Sequence, residues 1–131
     1  MPATAKAGGK AVEGLYAMSE TPTPYRDDPK NNSLLNKWMD DYKARFNEDG
    51  DLWSVTGYAL LDMVLKTMEK AGPNLTSDTL VKALDSTTFP RHYLGLPEYS
   101  FSPTKHLGGG AARIAQIVNG RWVNISDYMK L

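Results

Sequence analysis

Cysteine is absent from this sequence of 131 residues. Its absence excludes disulfide bridges, thiolate nucleophiles and zinc sites with cysteine ligands. It does not identify a compartment, because many exported bacterial proteins also lack cysteine. The sequence also contains no apolar run close to the roughly 20 residues that a membrane-spanning helix requires.

An excess of charge of either sign is missing too, since 15 lysine and arginine residues balance 15 aspartate and glutamate residues. A chain without a basic surface attracts nucleic acids and anionic membranes only weakly, so we expect no nucleic-acid partner. Hydrophobic residues make up 41% of the chain and charged residues 23%. Such values are typical of a globular protein with a packed core, and the length allows one ordinary domain.

Residues with the spacing of a catalytic or metal centre are also scarce. His92 and His106 lie in segments predicted to be irregular and lack ligand-like spacing. Asp40 and Asp41 are adjacent in a predicted helix, where neighbouring side chains do not face each other. The glycines at 108–110 lack the lysine of a phosphate-binding loop. We therefore expect no enzyme, no metal site and no cofactor.

The N-terminal region predicts a flexible start, a strand and a connector. Residues 1–10 are small and polar, and no apolar segment follows Lys6 and Lys10, so they do not form a secretory signal peptide. The segment Val12–Met18 contains a short apolar run, which is the pattern of a strand buried on both faces. Three prolines in Ser19–Asn32 exclude regular structure and predict a semi-rigid connector.

Three helices are predicted after the connector. Residues 33–47 show helical spacing of apolar side chains, and residues 77–86 form a shorter helix of the same kind. Residues 52–71 are apolar nearly all round in their middle, which predicts a buried central helix. Each helix is preceded by side chains that can cap its first turn. The candidate caps are Asn32 or Ser33, Asp51, and Thr76 or Ser77.

The C-terminal region predicts a β-hairpin. Two strand-like segments, Ala112–Val118 and Arg121–Ile125, are separated by Asn119-Gly120. Asn-Gly is the favoured sequence of a two-residue type I′ turn, because both positions need a positive φ. In this register Ile117 faces Trp122.

The start of the second predicted helix is the candidate binding site. Trp38, Trp53 and Tyr58 are most simply interpreted as core aromatics. The second interpretation is that Trp53, Ser54 and Val55 line a cleft. The backbone N–H groups of a helix N-terminus suit a carboxylate ligand.

The order of these elements resembles the C-terminal third of the type I periplasmic solute-binding proteins, the branched-chain amino-acid or extracellular ligand-binding receptor family of ABC importers. The resemblance runs from about Gly14 to Val123 and rests on the order and spacing of six segments. They read GLYAMS, LLNKWMDDYKARF, GYALLDMVLKTMEKAG, SDTLVKALDST, YSFSPTKH and QIVNGRWV.

This resemblance implies an α/β fold with two lobes joined by three hinge strands and a ligand closed between them. The chain would be the C-terminal segment of such a protein, with three helices, a buried strand and a C-terminal hairpin. After a flexible N-terminus at 1–10, residues 11–131 would form a partial domain. Its expected parts are a second-lobe strand (11–19), a hinge connector (20–32), first-lobe helices with an extended segment (33–110), and a second-lobe hairpin and tail (111–131).

The resemblance also implies a function. The chain would be a fragment of a receptor that captures an amino acid or small carboxylate and delivers it to a membrane permease. The full-length parent would be periplasmic, and roughly its first two-thirds, with the signal peptide, would be missing from this sequence. Among the family's ligand-facing positions only the start of the second helix is present, which falls on Trp53, Ser54 and Val55.

A second hypothesis follows from the strand Val12–Met18. Without its native neighbours, its exposed edge invites pairing between chains, so we expect the isolated chain to be a homo-oligomer. The alternative function is accordingly a small self-associating interaction protein with no small-molecule ligand.

Overall fold

The computed structural model describes residues 2–131. Its helices are α1 (Pro2–Gly8), α2 (Ser33–Phe46), α3 (Leu52–Ala71) and α4 (Ser77–Asp85), with a 3₁₀ turn at Gly9–Val12. Its strands are β1 (Tyr16–Ser19), β2 (Thr88–Phe89), β3 (Tyr99–Ser100), β4 (Ala111–Val118), β5 (Arg121–Asn124) and β6 (Met129–Lys130). The predicted mixture of helices, a strand and a C-terminal hairpin is confirmed. None of the helices in the described part of the chain has the length and apolar character of a membrane-spanning segment.

Polar caps define where the three longer helices begin. The side chain of Asn32 caps α2, and Asp51 and Thr76 each form a capping box at the start of α3 and α4. These interactions satisfy backbone N–H groups that have no partner within the helix. The predicted limits of α3 are confirmed, and those of α2 and α4 differ by one residue at the C-terminal end.

One hydrophobic core lies between α2, α3 and the loop that follows β2. This loop has no regular structure, yet it supplies Leu94 and Leu96, which are among the most completely buried side chains. The core is completed by residues of the two helices, namely Leu35, Trp38, Met39, Val55 and Ala59. We call these seven residues the helical core.

The prediction that α3 is a buried central helix is wrong for this chain. Its inward face is buried at Leu52, Val55, Ala59 and Thr67. The opposite face is exposed, and Leu61 has 58% of its surface accessible. The apolar composition of a helix indicates which surface it is able to bury. In residues 2–131, no element packs over this second, exposed face. We call it the outer face of α3, and its large exposed residues are Leu60, Leu61, Val64, Leu65 and Met68.

The main sheet is centred on β4. Strand β1 pairs with β4 in antiparallel orientation, β5 pairs with its other edge, and β6 pairs with its first residues. Ile117 lies opposite Trp122, as predicted. Asn119 and Gly120 have φ values of 53° and 73°, the positive values that a type I′ turn needs. The predicted hairpin is therefore confirmed.

A second hydrophobic core covers one face of this sheet and involves α1. Ala5 of α1 is buried with Ala115, Ile117 and Trp122, and these four residues form the sheet core. The prediction that residues 1–10 are flexible is therefore wrong for the described residues 2–10, which are helical. The three small alanines of α1 are good helix formers, and contact with the sheet supplies the burial that the segment alone lacks.

Strand β1 also differs from its prediction. It begins at Tyr16 rather than Val12, and it is not buried on both faces, because Tyr16 is 61% exposed and Met18 is 57% exposed. Within residues 2–131 its only strand partner is β4. The apolar run thus predicted the strand correctly. Burial of both faces of β1 would require a further element to pack over Tyr16 and Met18, and none in residues 2–131 does so.

The connector, residues 20–32, contains neither helix nor strand, as predicted, whereas Ser19, which was also predicted to be irregular, is the last residue of β1. Arg26 attaches it to α2 through Asp40 at 2.6 Å, and also contacts Asp49 at 2.9 Å. Asp27 attaches it to β5 through two hydrogen bonds of 2.7 Å from Arg121. The connector is therefore held to both the helices and the sheet.

Candidate functional site

The start of α3 is organised by a reciprocal capping box. The Ser54 N–H donates to Asp51 Oδ1 at 2.8 Å, and the Asp51 N–H donates to Ser54 Oγ at 2.7 Å. The backbone hydrogen bond from Ser54 is the main cause that lowers the pKa of Asp51, so this carboxylate stays ionised at neutral pH. The cap therefore occupies both polar groups of Ser54 that a ligand could use.

The structure brings the three predicted site residues to one helical turn but gives them different surroundings. Trp53 is 72% exposed, whereas Val55 is fully buried in the helical core. Ser54 is held in the cap. Trp53 is thus the member of this group whose side chain offers a wide accessible surface.

The connector crosses α3 next to this turn. The hydroxyl groups of Thr21 and Thr56 are 3.3 Å apart, and Thr56 also donates to the Leu52 carbonyl oxygen at 2.7 Å. Thr21 follows shortly after the end of β1, so the first turns of α3 lie where the chain leaves the sheet. An exposed indole at such a junction can stack on a flat or apolar group.

A histidine–aspartate pair forms a second polar feature. The Leu94 N–H donates to His92 Nδ1 at 3.2 Å, and His92 Nε2 lies 3.2 Å from Asp62 Oδ2. Since Nδ1 accepts a hydrogen bond, the neutral ring carries its proton on Nε2 and donates it to Asp62. Burial lowers the pKa of His92, although Asp62 opposes this shift. The neutral form is therefore favoured near pH 7.

This pair lies at the wall of a cavity of about 250 Å³ between α3 and the loop after β2. Tyr99 also lines it, and burial raises the pKa of this phenol to about 12. Its hydroxyl donates to Glu20 of the connector at 3.3 Å. His92 therefore holds the loop against α3, and Tyr99 holds the connector against β3.

Sequence reasoning missed the contact between His92 and Asp62, because the two residues are far apart in the chain. One signal was available. Asp62 interrupts the apolar middle of α3, and an acidic residue in such a position indicates a polar partner in the fold. Within residues 2–131, no group of three or more potential metal ligands comes together.

Comparisons with known proteins place the chain in a family. A family model described as a periplasmic binding protein matches residues 2–121. A branched-chain amino acid ABC transporter protein from Thermus thermophilus, with bound valine, superposes with a TM-score of 0.74 at 16% identity. The match covers 99% of this chain and 37% of that one.

Two proteins from Rhodopseudomonas palustris have a similar fold. An extracellular ligand-binding receptor from strain HaA2 matches with a TM-score of 0.70 and 19% identity, covering 94% of this chain and 37% of that one. An ABC transporter solute-binding protein in complex with benzoate matches with a TM-score of 0.61 and 17% identity, covering 93% and 32% respectively. A search of curated protein sequences found no significant match.

The chain thus spans about a third of the length of the solved structures it matches. The fold is that of a partial type I periplasmic binding protein, in agreement with the expectation from the sequence. Since the family model matches nearly the whole chain, this protein belongs to the periplasmic binding protein family.

Proposed function

We propose that the chain is part of an ABC-transporter receptor that captures an amino acid or a small carboxylate for import. The observation that carries this proposal is the family match over residues 2–121. It is supported by the similar fold of proteins whose structures contain valine or benzoate. The family consists of solute-binding proteins rather than enzymes, so the proposed activity is binding without catalysis. The proposed partners are the solute and a membrane permease, and the proposed location of the full-length parent is the periplasm.

In this proposal α2, α3 and α4 belong to one lobe, β1, β4 and β5 belong to the other, and residues 20–32 form part of the hinge. The connector supports this division, because it contacts both α2 and β5. Trp53 would contribute to the wall of the ligand cleft at the start of α3. Ser54 would keep the helix start in position through the cap, and Val55 would anchor the turn in the helical core.

The isolated chain is expected to bind solutes poorly, because it supplies at most one wall of a two-lobed cleft. An amino acid on one wall keeps much of its polar surface in water, and the cost of ordering it is not recovered. We expect no binding of leucine or aromatic acids tighter than about 1 mM, which corresponds to roughly 4 kcal/mol. A saturable micromolar response that is lost in Trp53→Ala would show that this chain is a complete binding domain.

The experiment that tests the proposed function uses the longer protein encoded by the reading frame upstream of Met1. Calorimetric titration of that protein with valine and benzoate should give micromolar binding to at least one of them. Trp53→Ala should weaken binding about tenfold, or roughly 1.4 kcal/mol. Leu75→Ala is the control, since this apolar side chain is also exposed but lies beyond the opposite end of α3. An upstream frame that encodes no further lobe, or a longer protein that binds no amino acid or carboxylate, would contradict the proposal.

We also propose that the isolated chain self-associates through the outer face of α3. This exposed apolar face and the edge of β1 are surfaces that another chain tends to cover. Light scattering at micromolar concentration should show a dimer or larger assembly. The double variant Leu61→Gln/Leu65→Gln should shift it towards the monomer, and Leu131→Gln at the exposed C-terminus should not. A compact wild-type monomer would contradict self-association. The family match does not favour the alternative of an interaction protein without a ligand.

A further inference from the structure

A groove of about 480 Å³ lies between the connector, the loop after β2 and the β4–β5 hairpin. The predicted site residues Trp53, Ser54 and Val55 do not line it. Three of the residues that do are Arg91, Arg113 and Arg121, which come from the loop, β4 and β5. The groove is therefore a separate feature from the start of α3.

Arg113 is the unusual residue of this groove. It is 8% exposed, and neither its Nε nor its Nη2 atom has a hydrogen-bond partner within residues 2–131. Burying a guanidinium without a partner is unfavourable, and burial lowers the pKa of Arg113. The two unpaired nitrogens share one edge of the planar guanidinium. Their parallel N–H groups match the two oxygens of a carboxylate.

The surrounding residues hold Arg113 in place without satisfying this edge. Its guanidinium carbon lies 4.8 Å from the centre of the Tyr128 ring, and that of Arg91 lies 5.2 Å from the same ring. Tyr128 is itself fixed, because its hydroxyl donates to the carbonyl oxygens of Glu20 and Gly95. Two cations therefore converge on one immobilised aromatic ring.

Within residues 2–131 no acidic residue of the groove hydrogen-bonds to the Nε–Nη2 edge of Arg113, although the charges of Asp127 and Asp28 act to raise the pKa of this guanidinium. The carboxylate of Asp27 is engaged by Arg121 through two hydrogen bonds of 2.7 Å. Oδ1 of Asp28 accepts the Lys30 N–H at 2.9 Å. Asp127 also lines the groove, but in the described chain it makes no salt bridge with Arg113. The edge of Arg113 is thus left for an acceptor from outside these residues.

We propose that this groove is a binding site for the carboxylate of a small molecule. The ligand displaces the side chains that cover the buried Nε–Nη2 edge of Arg113, and this edge then donates two hydrogen bonds to the carboxylate. Arg91 provides a second positive charge. Tyr93, Trp122 and Leu35 also line the groove and offer apolar surface for the body of the ligand. Because the groove is open, the affinity is expected to be in the millimolar range. This site is independent of the function proposed for Trp53.

The test is an NMR titration of the complete ¹⁵N-labelled chain, observing the arginine Nε–H resonances. Sodium benzoate and sodium acetate are the probes, and sodium chloride at equal ionic strength is the control. The Arg113 Nε–H resonance should shift saturably with the carboxylates and not with chloride. Arg113→Lys keeps the positive charge but loses the two parallel N–H donors of the guanidinium, so it should weaken binding at least about fivefold.

Two control variants test whether the carboxylate binds at Arg113 and not elsewhere on the chain. Arg45→Lys is the matched control, since Arg45 is exposed on α2 and does not line the groove, and it should leave the affinity unchanged. Trp53→Ala should also have no effect, so the result does not depend on the proposed receptor cleft. If Arg113→Lys does not fold, Arg91→Gln at an exposed position removes the second positive charge and should weaken binding.

Three results would overturn the proposal. The first is an Arg113 resonance that does not move up to about 50 mM carboxylate, well above the expected affinity. The second is an Arg113 chemical shift that depends on protein concentration. Such a shift would show that the Nε–Nη2 edge binds an acidic side chain of a second copy of the chain. The third is a folded Arg113→Lys variant with unchanged carboxylate affinity, which would show that the edge of Arg113 is not the donor.

Discussion

The helical core and the sheet core are assembled in different ways. In the sheet core, Ile117 and Trp122 face each other across a two-residue turn, so a local signal brings them together. In the helical core, Leu94 and Leu96 come from an irregular loop and insert against helices that precede it by many residues. The comparison shows that hairpin pairing can be predicted from neighbouring residues, whereas packing of a loop against helices depends on the completed fold.

The two regions share one property, which is an apolar surface that nothing in residues 2–131 covers. In the helical region this surface is the outer face of α3, and in the sheet region it is the exposed side of β1 with Tyr16 and Met18. Large exposed apolar surfaces of this kind mark interaction sites. The chain spans about a third of the length of its structural relatives, so both surfaces are candidates for contact with further protein.

The largest expected effect separates buried from exposed leucines of the helical region. Leu94→Ala should lower the free energy of unfolding by about 3 kcal/mol, because it leaves a cavity beside Trp38 and Val55 in a fully buried core. Leu61→Ala removes the same atoms from the outer face of α3, which is exposed in the monomer, and should cost less than about 0.5 kcal/mol at protein concentrations below self-association. Urea unfolding followed by tryptophan fluorescence measures both. Equal losses would mean that the outer face is also covered in solution.

The next effect concerns the turn that organises the sheet region. Gly120→Val should cost about 1–2 kcal/mol, because a β-branched residue resists the positive φ of 73°. No atom lies within 4 Å of the position that a Cβ would occupy, so the cost comes from the backbone alone. Gly110→Val is the control, since its Cβ would also meet open space but its φ is not positive. An unchanged thermal midpoint for Gly120→Val would refute the turn assignment.

The smallest effect is a pH dependence of stability just below neutral pH that comes from His92 in the helical region. Burial lowers the pKa of His92 in the folded chain below the ordinary value of about 6.5. As the pH falls below about 6.5, the unfolded chain binds the proton more readily than the folded chain, so stability decreases. Above that pH the contribution of neutral His92 to the free energy of unfolding is fully present.

Chemical unfolding between about pH 5 and pH 7 measures this contribution, on either side of the ordinary histidine pKa. His92→Gln should reduce the slope of stability against pH. Thr104→Ser, at an exposed position that carries no titratable group, is the control and should retain the wild-type slope. A His92→Gln slope identical to wild type would show that His92 titrates alike in the folded and unfolded chains.

The candidate sites show the same division between local and distant information. The pattern at the start of α3 placed Trp53, Ser54 and Val55 together on one turn, and Asp51 was expected as its cap. Which of the three is accessible was not predictable, because the helical core decides that Val55 is buried. Arg113 gave no sequence signal, since its unpaired edge is a consequence of how the connector, β4 and Tyr128 pack.

The sequence by itself determined the three long helices, their caps, the irregular connector and the hairpin turn. These features depend on backbone preferences and hydrogen bonds between residues a few positions apart, so the local sequence contains the necessary information. Tertiary structure alone decided that α1 forms, that β1 and the outer face of α3 remain exposed, and that Arg113 is buried without a partner. Burial is a property of the segments that surround a residue, and an apolar pattern specifies only that a surface can be covered, not what covers it.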